Sequence, residues 1–500
     1  MEFGSEHRKK RWYVAVVGGI VGAGGLAAAA GVVTIVTPSA APAAAAEQTV
    51  ARSAADGGSK DDGKKDDDKR KDEDVKKVGC DPDELIAALV RANADGGVKL
   101  ELEPKCTYTL TAFDEEDEEV SGLPEIVERV KIDGNGAKIV RAANAEAFRI
   151  FTVGVGGDLT LRDLTLKGGD ARDSDVGGGA LLVRQGGRAS VEDSKLTLNR
   201  SDSFGGAITN LGITKINGGD KSEKDGGKKD DPKKDDYGKD GSDEYGKDGS
   251  KKDDYSEDSG SELTNNFAEV DGGGVYSTGS LKVEGARISR NAAGNFGGGL
   301  ENDGGVATVS KTRIDHNQAV DDSGGIDNEE DSITTVKDSW VKDNTSGDDG
   351  GGIGNFGGTF YLQRTEVEGN TAADIGGGAV NFGTFVADKS EFNKNKALGD
   401  GAGGFANAGD AVLRKSEVNK NTAFAEDAVA GGIANFVDNG DEGNLRLTDT
   451  DVIENASTEA PGGIFNEVED GVTVDDDSKI IKNRPTNCAG SPEEVPNCFG

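Results

Sequence analysis

Six aspartates stand at one recurrent place in this chain. Asp271, Asp322, Asp349, Asp374, Asp400 and Asp427 each lie three to five residues before the second glycine of a Gly-Gly pair. Carboxylates held at a common phase are hard oxygen donors, and stacked at strand spacing they need a counterion or solvent. The pattern therefore reads as a calcium-binding or basic-partner stripe, with a solvated loop edge as the plainer alternative. Asp321-Asp322 and Asp348-Asp349 are doubled, the arrangement that acid–base chemistry would use. His316, in Arg313-Ile314-Asp315-His316, is one of two histidines. At its phase other repeats carry Arg290, Asp343, Gly369, Lys394 and Lys420, so it reads as a solvated side chain. No residue emerges as catalytic, and no cofactor is required; calcium is the one left open.

What positions these residues is a repeat. The phrase Ser/Thr-x-apolar-x-x-Asn ends at Asn199, Asn317, Asn344, Asn370, Asn395, Asn421, Asn455 and Asn483, with a variant ending at Asn291. From Asn291 to Asn421 the spacings are 26, 27, 26, 25 and 26 residues. A second phrase, Gly-Gly-x-x-Asn, keeps step and ends at Asn302, Asn328, Asn355, Asn381, Asn407, Asn435 and Asn466. Period-2 stretches such as Thr359-Phe360-Tyr361-Leu362 sit between them. Three short strands and three turns per period predict an all-β fold, a right-handed parallel β-helix of about ten coils. Asn stacked at a bend can hydrogen-bond along the column and tolerate left-handed backbone, so both Asn series read as ladders. The 77 glycines exclude a helical solenoid, and the period is too short for a propeller.

The ends have their own signals. Residues 1–46 combine a basic start at Arg8–Arg11, an apolar run and small residues, an export signal with an uncleaved membrane anchor as the competing reading. Losing it would remove four basic and two acidic side chains and take the formal charge from −36 to −38. Such acidity opposes nucleic acid and anionic lipid, and favours cations or basic surfaces. Residues 47–78 read as a disordered Lys/Asp-rich leader, and 219–262 as a disordered Lys/Asp/Gly-rich insert within the β-helix of 79–500. Asp81-Pro82-Asp83-Glu84 caps a short amphipathic helix carrying Leu85, Ile86, Leu89 and Val90, ending near Asn93, which would lid the stack. Four cysteines allow three pairings. Separation favours Cys80 with Cys106 and Cys488 with Cys498, in an oxidising, extracellular compartment.

The Gly-Gly-[Ala/Ile/Leu] and [Phe/Ile/Val]-x-x-Asn phrases resemble the repeats of polymorphic outer membrane proteins and of pectate-lyase-like β-helices. The opening, from Cys80 through Leu100-Glu101-Leu102 and Cys106-Thr107-Tyr108 to Ile132-Asp133-Gly134-Asn135-Gly136, is similar to secreted actinobacterial β-helix repeat proteins, as is the ending Asn487-Cys488 to Cys498. The resemblance implies the fold more than an activity. Polysaccharide lyases of this fold use calcium-bound carboxylates with an Arg or Lys base, and hydrolases use paired Asp. No Gly-His-Gly or Arg-x-Lys phrase accompanies the doubled aspartates here. Two readings follow: a secreted or wall-associated structural or binding protein, expected to be a monomer, or a lyase or hydrolase acting on polysaccharide.

Overall fold

The computed structural model describes residues 75–113, 120–172, 174–218, 260–426 and 428–500. The export segment, the leader up to residue 74, the insert from 219 to 259 and Asp427 lie outside these residues. The rest is a parallel β-solenoid of about 13 turns. One coil shows the plan. A five-residue strand Val306–Ser310 turns into Arg313–Asp315; a two-residue strand Gln318–Ala319 follows, and Ile326–Asn328 closes the coil. Each strand pairs in parallel with its counterpart one coil on, Val306 with Ile333, Arg313 with Trp340 and Ile326 with Ile353. The five-residue strands form a first face, strands like Arg313–Asp315 a second, and strands like Ile326–Asn328 a third.

Corners are made by residues in left-handed conformation. Lys311, Asp338, Arg364, Lys389 and Lys415 have φ between 47° and 52° at the corner between the first two faces. Arg290, His316, Asp343, Lys394 and Lys420, with φ of 53–58°, open the next corner, just ahead of each ladder Asn. These long polar side chains pay a steric cost that asparagine or glycine would largely avoid. The regular hydrogen bonds of the following residue offset it: Asn317 Nδ2 donates to Asn344 Oδ1 at 3.0 Å, and Asn344 Nδ2 to Asn370 Oδ1 at 3.0 Å. This continues to Asn483. The second Asn series bonds likewise, Asn328 to Asn355 at 2.7 Å and Asn381 to Asn407 at 2.8 Å. Inside, aliphatic side chains from all three faces form one continuous core, and Phe360, Phe385, Phe392 and Phe405 stack within it.

Three expectations about the stack need correction. The stack has about 13 turns and not ten, because early coils such as Arg129–Arg141 and Asp158–Lys167 are paired strands that lack the Asn phrase. The leader is not wholly outside the fold: Val75–Val78 is a strand whose Val78 is buried and pairs with Leu102, giving the first coil an edge partner. The insert ends earlier than residue 262. Ser261 is buried, Glu262–Thr264 is a second-face strand, and Ser261-x-Leu263-x-x-Asn266 is a further copy of the repeat, with Asn266 Nδ2 bonded to Asn291 Oδ1 at 2.9 Å. Gly218 and Gly260 lie side by side, so close that a Cβ on Gly218 would come within 3.0 Å of the Gly260 Cα.

The N-terminal end is closed by α1, Pro82–Asp95. Asp81 caps it by accepting the Asp83 N–H at 2.8 Å, and Gly96 ends it at φ 83°. Its buried face is Leu85, Ala88, Leu89 and Ala92; Val90, expected on that face, is exposed. Cys80 bonds Cys106 and Cys488 bonds Cys498, one pair at each end. The first pair spans 26 residues and ties the start of α1 to the first coil. Replacing both Cys80 and Cys106 by Ser should cost about 2–4 kcal/mol. Hydrogen exchange should accelerate in α1 and Val75–Val78 before the central coils; uniform acceleration along the solenoid would contradict a local capping role.

Candidate acidic site on the third face

On the third face the residue before each ladder Asn points away from the core. Running along the stack this row reads Thr209, Tyr276, Glu301, Asp327, Gly354, Val380 and Ala406, each the register partner of the next. Period-2 alternation makes it an outer row, yet it is not solvent-exposed: Glu301 is 2% and Asp327 0% exposed. Residues of the flanking stretches close over it: Gly297 lies against Glu301 Oε2, and a Cβ on Gly354 would meet Ser323 Oγ on one side and the Phe356 ring on the other. Two halves result. From Val380 onward the row is apolar, with Val380, Ala406, Ala434 and Phe465 in a second buried cluster. From Tyr276 to Asp327 it is acidic.

The acidic half is built on two adjacent coils. Glu301, Asp327 and Glu329 each bring a carboxylate oxygen within 4.8 Å of the others. The Asn328 N–H donates to Asp327 Oδ1 at 2.9 Å, which fixes that carboxylate to its own strand. Glu301 Oε2 is buried and has no hydrogen-bond partner. Burial pushes the Glu301 carboxyl well above the usual carboxylate range, and Asp327, Asp271, Glu329 and Asp303 add repulsion. At the Tyr276 end the phenol stacks on Phe204, ring centroids 4.5 Å apart, and donates to Asp303 Oδ2 at 2.6 Å. Burial, then the Asp303 charge, raises the phenol pKa, so it remains a donor at neutral pH.

Beside this row runs the aspartate stripe read from the sequence. Its members accept backbone N–H groups from the next coil. Asp271 Oδ1 takes Phe296 N–H at 3.1 Å, Asp322 Oδ1 takes Asp349 N–H at 3.0 Å, and Asp349 Oδ1 takes Ile375 N–H at 3.2 Å. Asp374 Oδ1 and the Asp400 N–H stand at 3.5 Å, and Asp400 is exposed. The stripe is therefore a carboxylate ladder bonded to backbone. Asp348, Asp349 and Asp374 bring one oxygen each within 4.8 Å. Burial raises the Asp349 carboxyl well above its ordinary pKa, Asp322, Asp348 and Asp374 add to it, and the Ile375 N–H acts the other way. His316 is elsewhere, at the corner that follows the second face, its Nδ1 2.8 Å from Asp315 Oδ2 and its side chain 47% exposed.

Glu301, Asp327 and Glu329 were not singled out by the repeat pattern. A signal existed: only two neighbouring copies of Gly-Gly-x-x-Asn, Gly298-Gly299-Leu300-Glu301-Asn302 and Gly324-Gly325-Ile326-Asp327-Asn328, carry an acid before the Asn.

No protein-family model matches this chain, and no curated protein matches it. Among solved structures, the A-module of a mannuronan C-5 epimerase from Azotobacter vinelandii is 12% identical with a TM-score of 0.37, covering 80% of this chain and 96% of that one. A surface adhesin of Streptococcus pneumoniae is 11% identical with a TM-score of 0.27, covering 76% and 90%. Likenesses this remote carry no argument about what the acidic row does.

Proposed function

We propose that this protein is a secreted or surface-exposed, non-catalytic binding scaffold, and that its acidic row holds a divalent cation, calcium by donor chemistry. The observation that carries the reading is the Glu301 carboxylate: buried, one oxygen without a hydrogen bond, and perturbed by carboxylates. An ionised buried carboxylate without a partner costs several kcal/mol, so the group either takes a proton or gains a cation. Three clustered carboxylates suit calcium, which tolerates flexible all-oxygen shells, better than magnesium, which demands a near-ideal octahedron. Export by the segment 1–46 and the two disulfides fit an oxidising compartment, where calcium is abundant. The alternative, a polysaccharide lyase or hydrolase, requires acid and base groups that reach a sugar. Glu301 and Asp327 are covered, and the groups that perturb Glu301 most are all acids, not a cationic base.

The test is thermal unfolding against calcium and pH. Because the folded Glu301 carboxyl is raised above its unfolded value of about 4.3, cation-free protein should lose stability as pH rises above that value. Calcium at about 100 times its Kd should restore about 2.7 kcal/mol at pH 7. Glu301→Gln should raise the melting temperature of the cation-free protein and abolish the calcium response. A melting temperature insensitive to millimolar calcium in the parent protein would sink the assignment.

A further inference from the structure

Just ahead of the third-face strands, a residue in left-handed conformation recurs four places before each member of the outer row. Gly272, Gly297, Gly350, Gly376, Ala402 and Ala430 hold that place in their coils, with φ between 50° and 68°. Its Cβ direction faces the row. A Cβ on Gly272, Gly297 or Gly376 would stand 2.8, 2.9 or 2.9 Å from the Cβ of Tyr276, Glu301 or Val380 respectively. Where the row is apolar the place carries a methyl: Ala402 and Ala430 are buried in the same cluster as Val380. In the acidic half, the coil of Asp327 carries Ser323 there, at φ 61°. Serine is strained at positive φ where glycine is not. Ser323 is also 0% exposed, and its Oγ has no hydrogen-bond partner. Backbone strain and an unbonded buried hydroxyl on one residue point to a role other than folding.

We infer that Ser323 Oγ is a ligand oxygen of the cation held by Glu301, Asp327 and Glu329. Gly354 is the register partner of Asp327, one strand spacing, about 4.8 Å, further along the row. Having no side chain, Gly354 leaves its row place to Ser323 Oγ, which a Cβ there would strike, and to the Phe356 ring. Oxygens from Glu301, Asp327 and Ser323 thus occupy three consecutive row places, with Tyr276 at one end and Phe356 at the other. The chemistry suits a hydroxyl. Calcium takes about six to eight oxygens, and three carboxylates already supply the charge. A fourth carboxylate would add repulsion; a neutral hard oxygen adds coordination without it. The residue is also held ready. Its N–H donates to Asp349 O and its carbonyl accepts from the Gly298 N–H, both at 3.0 Å. These bonds to the coils on either side fix the left-handed backbone, which lowers the ordering cost of binding.

The role of Ser323 rests on the cation reading of the row, and the two fail on different results. The full chain is titrated with calcium, read by melting temperature, and with terbium, read by emission excited through Tyr276, the register partner of Glu301. Terbium is a hard, oxygen-seeking ion of similar size to calcium, and the emission lost in Glu301→Gln is the part that belongs to this site. Ser323→Ala should raise the calcium concentration at half-maximal shift about tenfold. Terbium lifetimes in H2O and D2O should count an additional bound water in that variant, in the place of the hydroxyl. Without calcium, Ser323→Ala and Ser323→Gly should melt no lower than the parent, because each removes an unbonded buried group and the glycine also relieves the backbone. Ala402→Gly, at the same place in the apolar half, should leave the calcium midpoint unchanged. An equal calcium midpoint or an equal water count in parent and Ser323→Ala would overturn the ligand role and leave the cation reading standing. A parent that neither shifts with calcium nor sensitises terbium would overturn both.

Discussion

Asn344→Ala should destabilise the central coils by about 4 kcal/mol or more. The side chain is fully buried and makes four hydrogen bonds. Its Oδ1 accepts from Asn317 N at 2.9 Å and from Asn317 Nδ2 at 3.0 Å. Its Nδ2 donates to Ile314 O at 3.1 Å and to Asn370 Oδ1 at 3.0 Å. Alanine leaves these partners buried and unsatisfied, each at about 1–3 kcal/mol before relaxation. Asn344→Asp separates the two halves of the argument, since a carboxylate keeps both acceptor contacts and loses both donor contacts. Facing two oxygens, that carboxylate should have a raised pKa, so the variant should regain part of its loss as pH falls. Denaturant midpoints of the three proteins at two pH values check this. A loss below about 1 kcal/mol for the alanine variant would mean the ladder is ornamental.

The second large effect is expected at Phe385. Its ring is fully buried between Phe360, 5.2 Å away and nearly parallel, and Phe405 at 5.1 Å, with Phe392 at 6.3 Å. Phe385→Ala should cost about 3–5 kcal/mol, from lost transfer energy and the cavity left between coils that cannot slide together. Collapse is resisted because backbone hydrogen bonds on three faces fix the coil spacing. Phe385→Leu should recover more than half of that loss. Because each coil touches only its neighbours, limited proteolysis should cut both alanine variants first near the substituted coils. Cleavage confined to the termini would argue against that local response.

The scaffold was legible in the sequence because its grammar is repeated. Every coil from Asn291 onward restates the corner, and the hydrogen bonds of Asn317, Asn344 and Asn370 are those that a stacked Asn at a bend makes. Where the grammar lapsed, so did the reading. The coils around Arg129–Arg141 carry no Asn phrase, and Ser261–Asn266 was masked by the charged block that precedes it. The acidic row was hidden for a different reason. Alternation correctly sends Glu301 and Asp327 outward, and outward ordinarily means solvated; only the flanking loops bury them. Loop height is not encoded in a period. The Asp322 and Asp349 carboxylates, conspicuous in sequence, serve the next coil's amides, whereas Glu301, inconspicuous there, keeps a buried oxygen without a hydrogen bond.

The adjacent glycines 218 and 260 make the solenoid modular at one point. Lys195 and Glu262 are register neighbours 67 residues apart, and without the 41 residues of segment 219–259 that distance becomes 26, the length of an ordinary coil. Joining Gly218 to Gly260 should thus restore an uninterrupted coil with every inter-coil partner retained. The same junction is a doorway: a foreign sequence whose ends meet there could be displayed on the side of the stack without disturbing the coils above and below.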